Sequence, residues 1–93
     1  GRLVAIIVSG PREANVDYAA QALARSAPRS PNITVLGPAP APIALLRGRH
    51  RRRLLLKATK ETAVQPLIRQ WISRVVKYNK VRIQIDVDPM SFF

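Results

Sequence analysis

Residues 61–87 read ETAVQPLIRQWISRVVKYNKVRIQIDV, and the hydrophobic period changes within them. Val64, Leu67, Ile68, Trp71, Ile72 and Val75 fall at i, i+3, i+4, i+7, i+8 and i+11, one wide apolar stripe along a helix. Thr62 and Gln65 have capping-box spacing, but Pro66 would remove an early helical bond, so the expected start moves to about Gln65. From Val81 the pattern alternates: Val81, Ile83, Ile85 and Val87 are apolar, and Arg82, Gln84 and Asp86 are polar. That is a strand with one buried and one solvated face. The chain therefore closes on a helix and a strand.

Working towards the start, Arg49 to Ala58 reads as a strand with Leu54-Leu55-Leu56 at its centre. Ile43 to Leu46 is ambiguous. Before it, Gly37-Pro38-Ala39-Pro40-Ala41-Pro42 places three prolines at alternate positions. They hold the backbone extended and deny it ladder hydrogen bonds, which predicts a polyproline-like connector after a short strand at Ile33–Leu36. Ala27-Pro28-Arg29-Ser30-Pro31 ends an earlier helix, because proline cannot continue one. That helix carries Val16, Ala19, Ala20, Leu23 and Ala24 at helical spacing, with Pro11 expected in its first turn and Glu13 and Asp17 near its N-terminal end. Leu3 to Val8, stopped by Ser9-Gly10-Pro11, is a buried strand.

The predicted order is β-α-β-β-α-β. Right-handed crossovers make this an α+β ferredoxin-like plait, a four-stranded antiparallel sheet with both helices on one face. Residues 1–93 form one domain by length. About 60–65% of the unfolded surface would be buried at this size. The run at residues 1–8 has no n-region or cleavage site of a signal peptide and is too short to span a bilayer, so neither is expected of it. A start in mid-strand, without an initiator Met, predicts a fragment of a larger protein.

Charge is the outlier: 16 Lys+Arg oppose 5 Asp+Glu, a formal net charge of +11. Such a field attracts polyanions: nucleic acid, an anionic membrane or an acidic protein tail. Arg47, Arg49, Arg51, Arg52, Arg53, Lys57 and Lys60 fall between positions 47 and 60. On a strand, Arg49, Arg51 and Arg53 project to one side and Arg52 to the other, so a row of guanidiniums is expected along one face or an edge. The planar fork of arginine suits phosphate oxygens. A second basic group comprises Arg69, Arg74, Lys77, Lys80 and Arg82; for Lys77 and Lys80 the plain reading is a solvated surface. Trp71, within the apolar stripe, is a core residue.

Signs of catalysis are weak. Without cysteine there is no disulfide, thiolate zinc site or cysteine nucleophile. His50 lies inside Arg49-His50-Arg51-Arg52-Arg53, where neighbouring cations repel a metal. Asp86 and Asp88 share a face without a third ligand, and salt bridges to nearby Arg and Lys are the simpler expectation. Neither a Walker loop nor a dinucleotide-binding glycine motif is present. Ser9-Gly10-Pro11-Arg12 offers an arginine after the first strand, as in acylphosphatases, but Pro11 removes a donor from any phosphate cradle. We expect no catalytic residue, no metal and no cofactor in this chain.

Two segments together carry a resemblance. Val35-Leu36-Gly37-Pro38-Ala39-Pro40-Ala41-Pro42, followed by Leu46-Arg47-Gly48-Arg49-His50-Arg51-Arg52-Arg53-Leu54-Leu55-Leu56-Lys57, resembles a signature of primosomal protein N′, the PriA family of replication-restart helicases. Val81-Arg82-Ile83-Gln84-Ile85-Asp86-Val87-Asp88-Pro89 resembles the ending of that family. The chain departs at His50 and Arg52, where the family commonly has aromatics, so phosphate contact is expected of this strand rather than base stacking.

The resemblance implies a C-terminal domain similar to ribosomal protein S10, within a bacterial, cytoplasmic 3′-5′ DNA helicase. ATP, magnesium and zinc would belong to the parent protein. It implies contact with forked or single-stranded DNA, with other primosome proteins and with the rest of the helicase chain. The nucleic-acid candidates are Arg47, Arg49, Arg51, Arg52, Arg53 and Lys57. For the acidic tail of single-stranded DNA-binding protein, which that family receives beside this domain, the candidates are Lys60, Gln65 and Arg69. Whether DNA or an acidic tail neutralises the basic surface is open at this level.

Overall fold

A computed structural model describes residues 1–75 and 80–87. Six elements follow in order: β1 (Arg2–Gly10), α1 (Glu13–Arg25), β2 (Ile33–Leu46), β3 (Arg49–Ala58), α2 (Val64–Ser73) and β4 (Arg82–Val87). The strands form one antiparallel sheet in the order β2-β3-β1-β4, with β1 and β3 at its centre. This is the expected ferredoxin-like plait.

Strand register explains the core. Val4 pairs with Leu56 and Ile6 with Leu54, and all four side chains are buried. They share one face of the sheet because side chains alternate along a strand. Val16, Ala19, Ala20 and Leu23 of α1 join the same cluster, as do Val64, Ile68, Trp71 and Val75 from α2 and its end. The stripe read from the sequence is therefore the buried side of α2. Trp71 is 1% exposed, and its Nε1 donates a 3.0 Å hydrogen bond to the Leu23 carbonyl. That carbonyl lies in the last turn of α1, where intrahelical donors run out. One side chain thus fills core volume and caps the neighbouring helix.

Several boundaries differ from the sequence expectation. The Pro-Ala stretch is part of β2 rather than an unpaired connector: Ala39 pairs with Arg53 and Pro40 with Arg52. Register shifts follow Leu36 and Pro40, and the Gly37-Pro38 peptide is cis. Proline is tolerated because β2 is an edge strand, which needs donors on only one side. Ile43 to Leu46, ambiguous in sequence, completes this strand. Pro11 precedes α1 instead of entering it, and Arg12 occupies the N-cap position.

No capping box forms at α2. Its N-cap is Ala63, while the Thr62 hydroxyl lies 2.9 Å from that of Thr59. Pro66 is the third residue of the helix, where its missing N–H has no intrahelical acceptor to lose. In β4, Ile85 is 40% exposed although its partner Ile6 is fully buried, so the apolar side of this edge strand is only partly covered.

Gly10 permits a close approach. A Cβ there would lie 2.8 Å from the Lys80 carbonyl and 3.2 Å from Val16 Cγ2. The end of β1, the start of α1 and the segment entering β4 meet at this point.

Candidate nucleic-acid interface

The same alternation that buries Leu54 and Leu56 turns Arg49, Arg51, Arg53 and Lys57 to the opposite face, which neither helix covers. Side chains two apart on a strand stand about 6.6 Å from each other. The three arginines form an evenly spaced file, with Lys57 farther along it. Register then sets their neighbours across the sheet. Arg51 lies opposite Ser9, and Ser9 opposite Arg82 on its other side. The next row on this face is Ala39, Arg53, Ile7 and Gln84; the one after is Leu36, Leu55, Ala5 and Asp86. Charge is graded along this face, cationic towards the β2–β3 turn and mixed beyond Asp86.

That turn is a two-residue hairpin, Arg47-Gly48, with φ of 51° and 75° between the paired residues Leu46 and Arg49. Positive φ at both central positions matches the right-handed twist of the flanking strands, and glycine adopts it without cost. Arg47 is thereby set on an exposed tip. Beside it, the Nη2 of Arg49 donates to the Ser9 carbonyl at 3.0 Å and lies 3.3 Å from its hydroxyl. Arg51 Nη1 donates to the Ile43 carbonyl at 2.9 Å. These bonds hold two of the guanidiniums in place. A hollow of about 240 Å³ lies among Ser9, Leu46, Arg47, Arg49, Arg51, Arg82 and Gln84.

Arg52 is placed differently. It projects to the helix side, where its Nη2 reaches Glu13 and its Nε reaches Asp17, both at 2.8 Å. Burial by itself would lower its pKa, but the hydrogen bonds to Glu13 and Asp17 outweigh that and hold it above its ordinary value. Arg52 therefore does not join the file of Arg49, Arg51 and Arg53. His50, also directed to the helix side, is half-buried.

Lys60, Gln65 and Arg69 are exposed at and beyond the entry to α2. Gln65 and Arg69 stand one turn apart on its outer surface, behind the sheet from the arginine file. Arg74 is also on the helix side, lining one hollow with Arg25 and another with Arg29. The second basic group is thus divided among its described residues: Arg69 and Arg74 lie on the helix side, whereas Arg82 crosses to the arginine face. Lys77, Asp88 and Pro89, named above from the sequence, lie outside the described residues.

Sequence reasoning missed Ser9, Leu46 and Gln84 as neighbours of the arginines. It also left Arg82 in a separate group. Only the strand order β2-β3-β1-β4 brings the first residue of β4 across Ser9 from Arg51. Among the described residues there is no group of three or more His, Cys, Asp or Glu able to hold a metal. Among them, too, no helix is long and apolar enough to cross a membrane.

Comparison with known proteins places this geometry in context. The family described as primosomal protein N C-terminal domain matches residues 1–90. The replication restart protein PriA of Rickettsia felis is 33% identical over 92 residues, covering 99% of this chain and 14% of that protein. The protein of the same name from Rickettsia conorii is also 33% identical over the same shares. The chain thus spans about 14% of the length of these relatives. Among solved structures, the de novo designed protein Foldit4 superposes with a TM-score of 0.69 at 12% identity, covering 97% of this chain and 98% of its own, a likeness of fold alone.

Proposed function

The chain belongs to the primosomal protein N C-terminal domain family, and from that membership we propose that it is a non-catalytic DNA-contacting domain of a bacterial replication-restart helicase. Its uncovered sheet face holds forked or single-stranded DNA by phosphate contacts from Arg47, Arg49, Arg51, Arg53 and Lys57. The observation that carries this reading is the register that places Arg49, Arg51 and Arg53 in one file, with Arg82 beside them and the paired carboxylates Glu13 and Asp17 on the other side. Arg52 supports the fold in this reading. Residues 1–93 act as one domain, and ATP hydrolysis, magnesium and zinc belong to the rest of the helicase chain in the cytoplasm.

Phosphate contacts make affinity depend steeply on salt. Five neutralised phosphates correspond to a slope of about −4 in log K against log[salt]. Fluorescence anisotropy with forked, single-stranded and duplex DNA at two salt concentrations measures it. Arg49→Ala/Arg51→Ala/Arg53→Ala is expected to weaken binding at least about tenfold; unchanged binding by this variant overturns the reading.

A second surface supports a second contact. Lys60, Gln65 and Arg69 are exposed behind the sheet, clear of the arginine file, and suit the acidic tail of single-stranded DNA-binding protein or another primosome partner. A synthetic tail peptide titrated into the labelled domain should shift the amide signals of these residues. Shifts confined to the arginine file would instead assign the tail to the DNA face.

A further inference from the structure

Four guanidiniums, those of Arg47, Arg49, Arg51 and Arg82, line one hollow together with Ser9, Leu46 and Gln84, and among the described residues no carboxylate lines it. Like charges gathered this way repel one another unless an anion lies among them. Elsewhere on the same strand the opposite solution is seen, since Arg52 is matched by Glu13 and Asp17. The hollow contains cationic groups from the β2–β3 turn, from β3 and from β4, brought together by strand register alone.

Two further observations point to a ligand. Arg49 and Arg51 are each anchored through one terminal nitrogen, to Ser9 and to the Ile43 carbonyl. A guanidinium has five N–H donors, so anchoring one arm orients the others without using them up. In addition, the Nε of Arg49 is buried and has no hydrogen-bond partner. Buried donors are nearly always paired, which leaves an acceptor missing at this place.

We infer that this hollow is a binding site for a single phosphate group, filled by Arg47, Arg49, Arg51 and Arg82 from around its rim. The hollow, about 240 Å³ and open to solvent, admits a single phosphate group. Chemistry agrees as well. A tetrahedral phosphate offers oxygens in several directions to forks that arrive from several strands, whereas a planar carboxylate offers two oxygens in one plane. The neutral donors of Ser9 and Gln84 and the apolar side chain of Leu46 complete the lining. The phosphate can come from within a nucleic-acid strand or from a strand end, where a monoester carries about one charge more.

This inference deepens the proposed DNA contact and rests on the same face, but the two fail separately. The test is a titration of inorganic phosphate into the isotope-labelled chain at constant ionic strength, read from the amides of Ser9, Arg49, Arg82 and Gln84 and the arginine Nε signals. Saturable shifts confined to the hollow are expected. Arg82→Gln should weaken them about tenfold, the effect of one lost charge-assisted contact, while Arg74→Gln, exposed on the helix side and away from the hollow, should leave them unchanged. A thermal melt of each variant checks that it is folded, and Arg49→Lys gives a second test because it retains charge but loses the fork.

Absence of saturable shifts overturns the site, as does equal weakening by Arg74→Gln. Short oligonucleotides with and without a 5′-phosphate then compete against inorganic phosphate. Preference for the phosphorylated strand assigns the hollow to a strand end, and equal competition assigns it to an internal phosphodiester. Failure of both to compete overturns the nucleic-acid assignment of the site. DNA binding without phosphate shifts in the hollow removes only this inference. Phosphate binding without DNA affinity removes the proposed function and leaves the site standing.

Discussion

Arg51 and Arg52 are adjacent in sequence, yet they belong to two different environments. Arg51 stands on the uncovered face of the sheet, where the residues around it are Arg49, Arg53 and, across Ser9, Arg82. Arg52 stands on the helix side, 15% exposed and held by two carboxylates from α1. The difference is a single step along β3. It separates charge that is internally matched, and so belongs to the fold, from charge that is left for something outside it. The same step separates Leu54 and Leu56 in the core from Arg53 on the basic face.

The widest separation should appear at Trp71. Trp71→Ala removes core volume and the donor to the Leu23 carbonyl, and should cost about 3–5 kcal/mol in urea unfolding. Trp71→Phe keeps most of the ring volume but leaves that carbonyl only the longer 3.4 Å bond from Ser26 Oγ, at about 1 kcal/mol. On the uncovered face the order reverses. The triple substitution of Arg49, Arg51 and Arg53 by alanine should cost only about 1–2 kcal/mol, from the lost bonds to the Ser9 and Ile43 carbonyls, while flattening the salt slope of DNA binding by about 2–3. Smallest of all is Arg52→Ala, which should cost about 1 kcal/mol of stability, read from thermal melts, and leave DNA affinity as it is. If Arg52→Ala weakened DNA binding as much as the triple variant, the division between the two faces would be lost.

Much of this division was legible in advance, because it follows from period. The stripe from Val64 to Val75 and the boundaries of β3 at Arg49 and Ala58 come from local alternation, and alternation sends Arg52 away from its neighbours. What opposes Arg52 was not legible: Glu13 and Asp17 are 39 and 35 residues away and meet it only through tertiary packing. The pairing of β2 was misjudged for a related reason. Proline is hostile to a central strand and acceptable on an edge, and position in a sheet is not a local property. The hollow was invisible for the same reason, since its members come from the β2–β3 turn, β3, β1 and β4. The sequence separated Arg82 from the arginine cluster by nearly thirty positions, and strand order closed that distance.

The prolines of β2 have one more consequence. Pro38, Pro40 and Pro42 leave this edge short of three N–H groups, so a foreign strand laid against it would find gaps where a continuous ladder is needed. Recruitment by strand addition, a common and poorly selective route for sheet proteins, is blunted on this side. Any crowded solution brings many exposed strands and peptide ends together. A domain with this edge resists being captured by them, and its associations are left to side chains on its two faces.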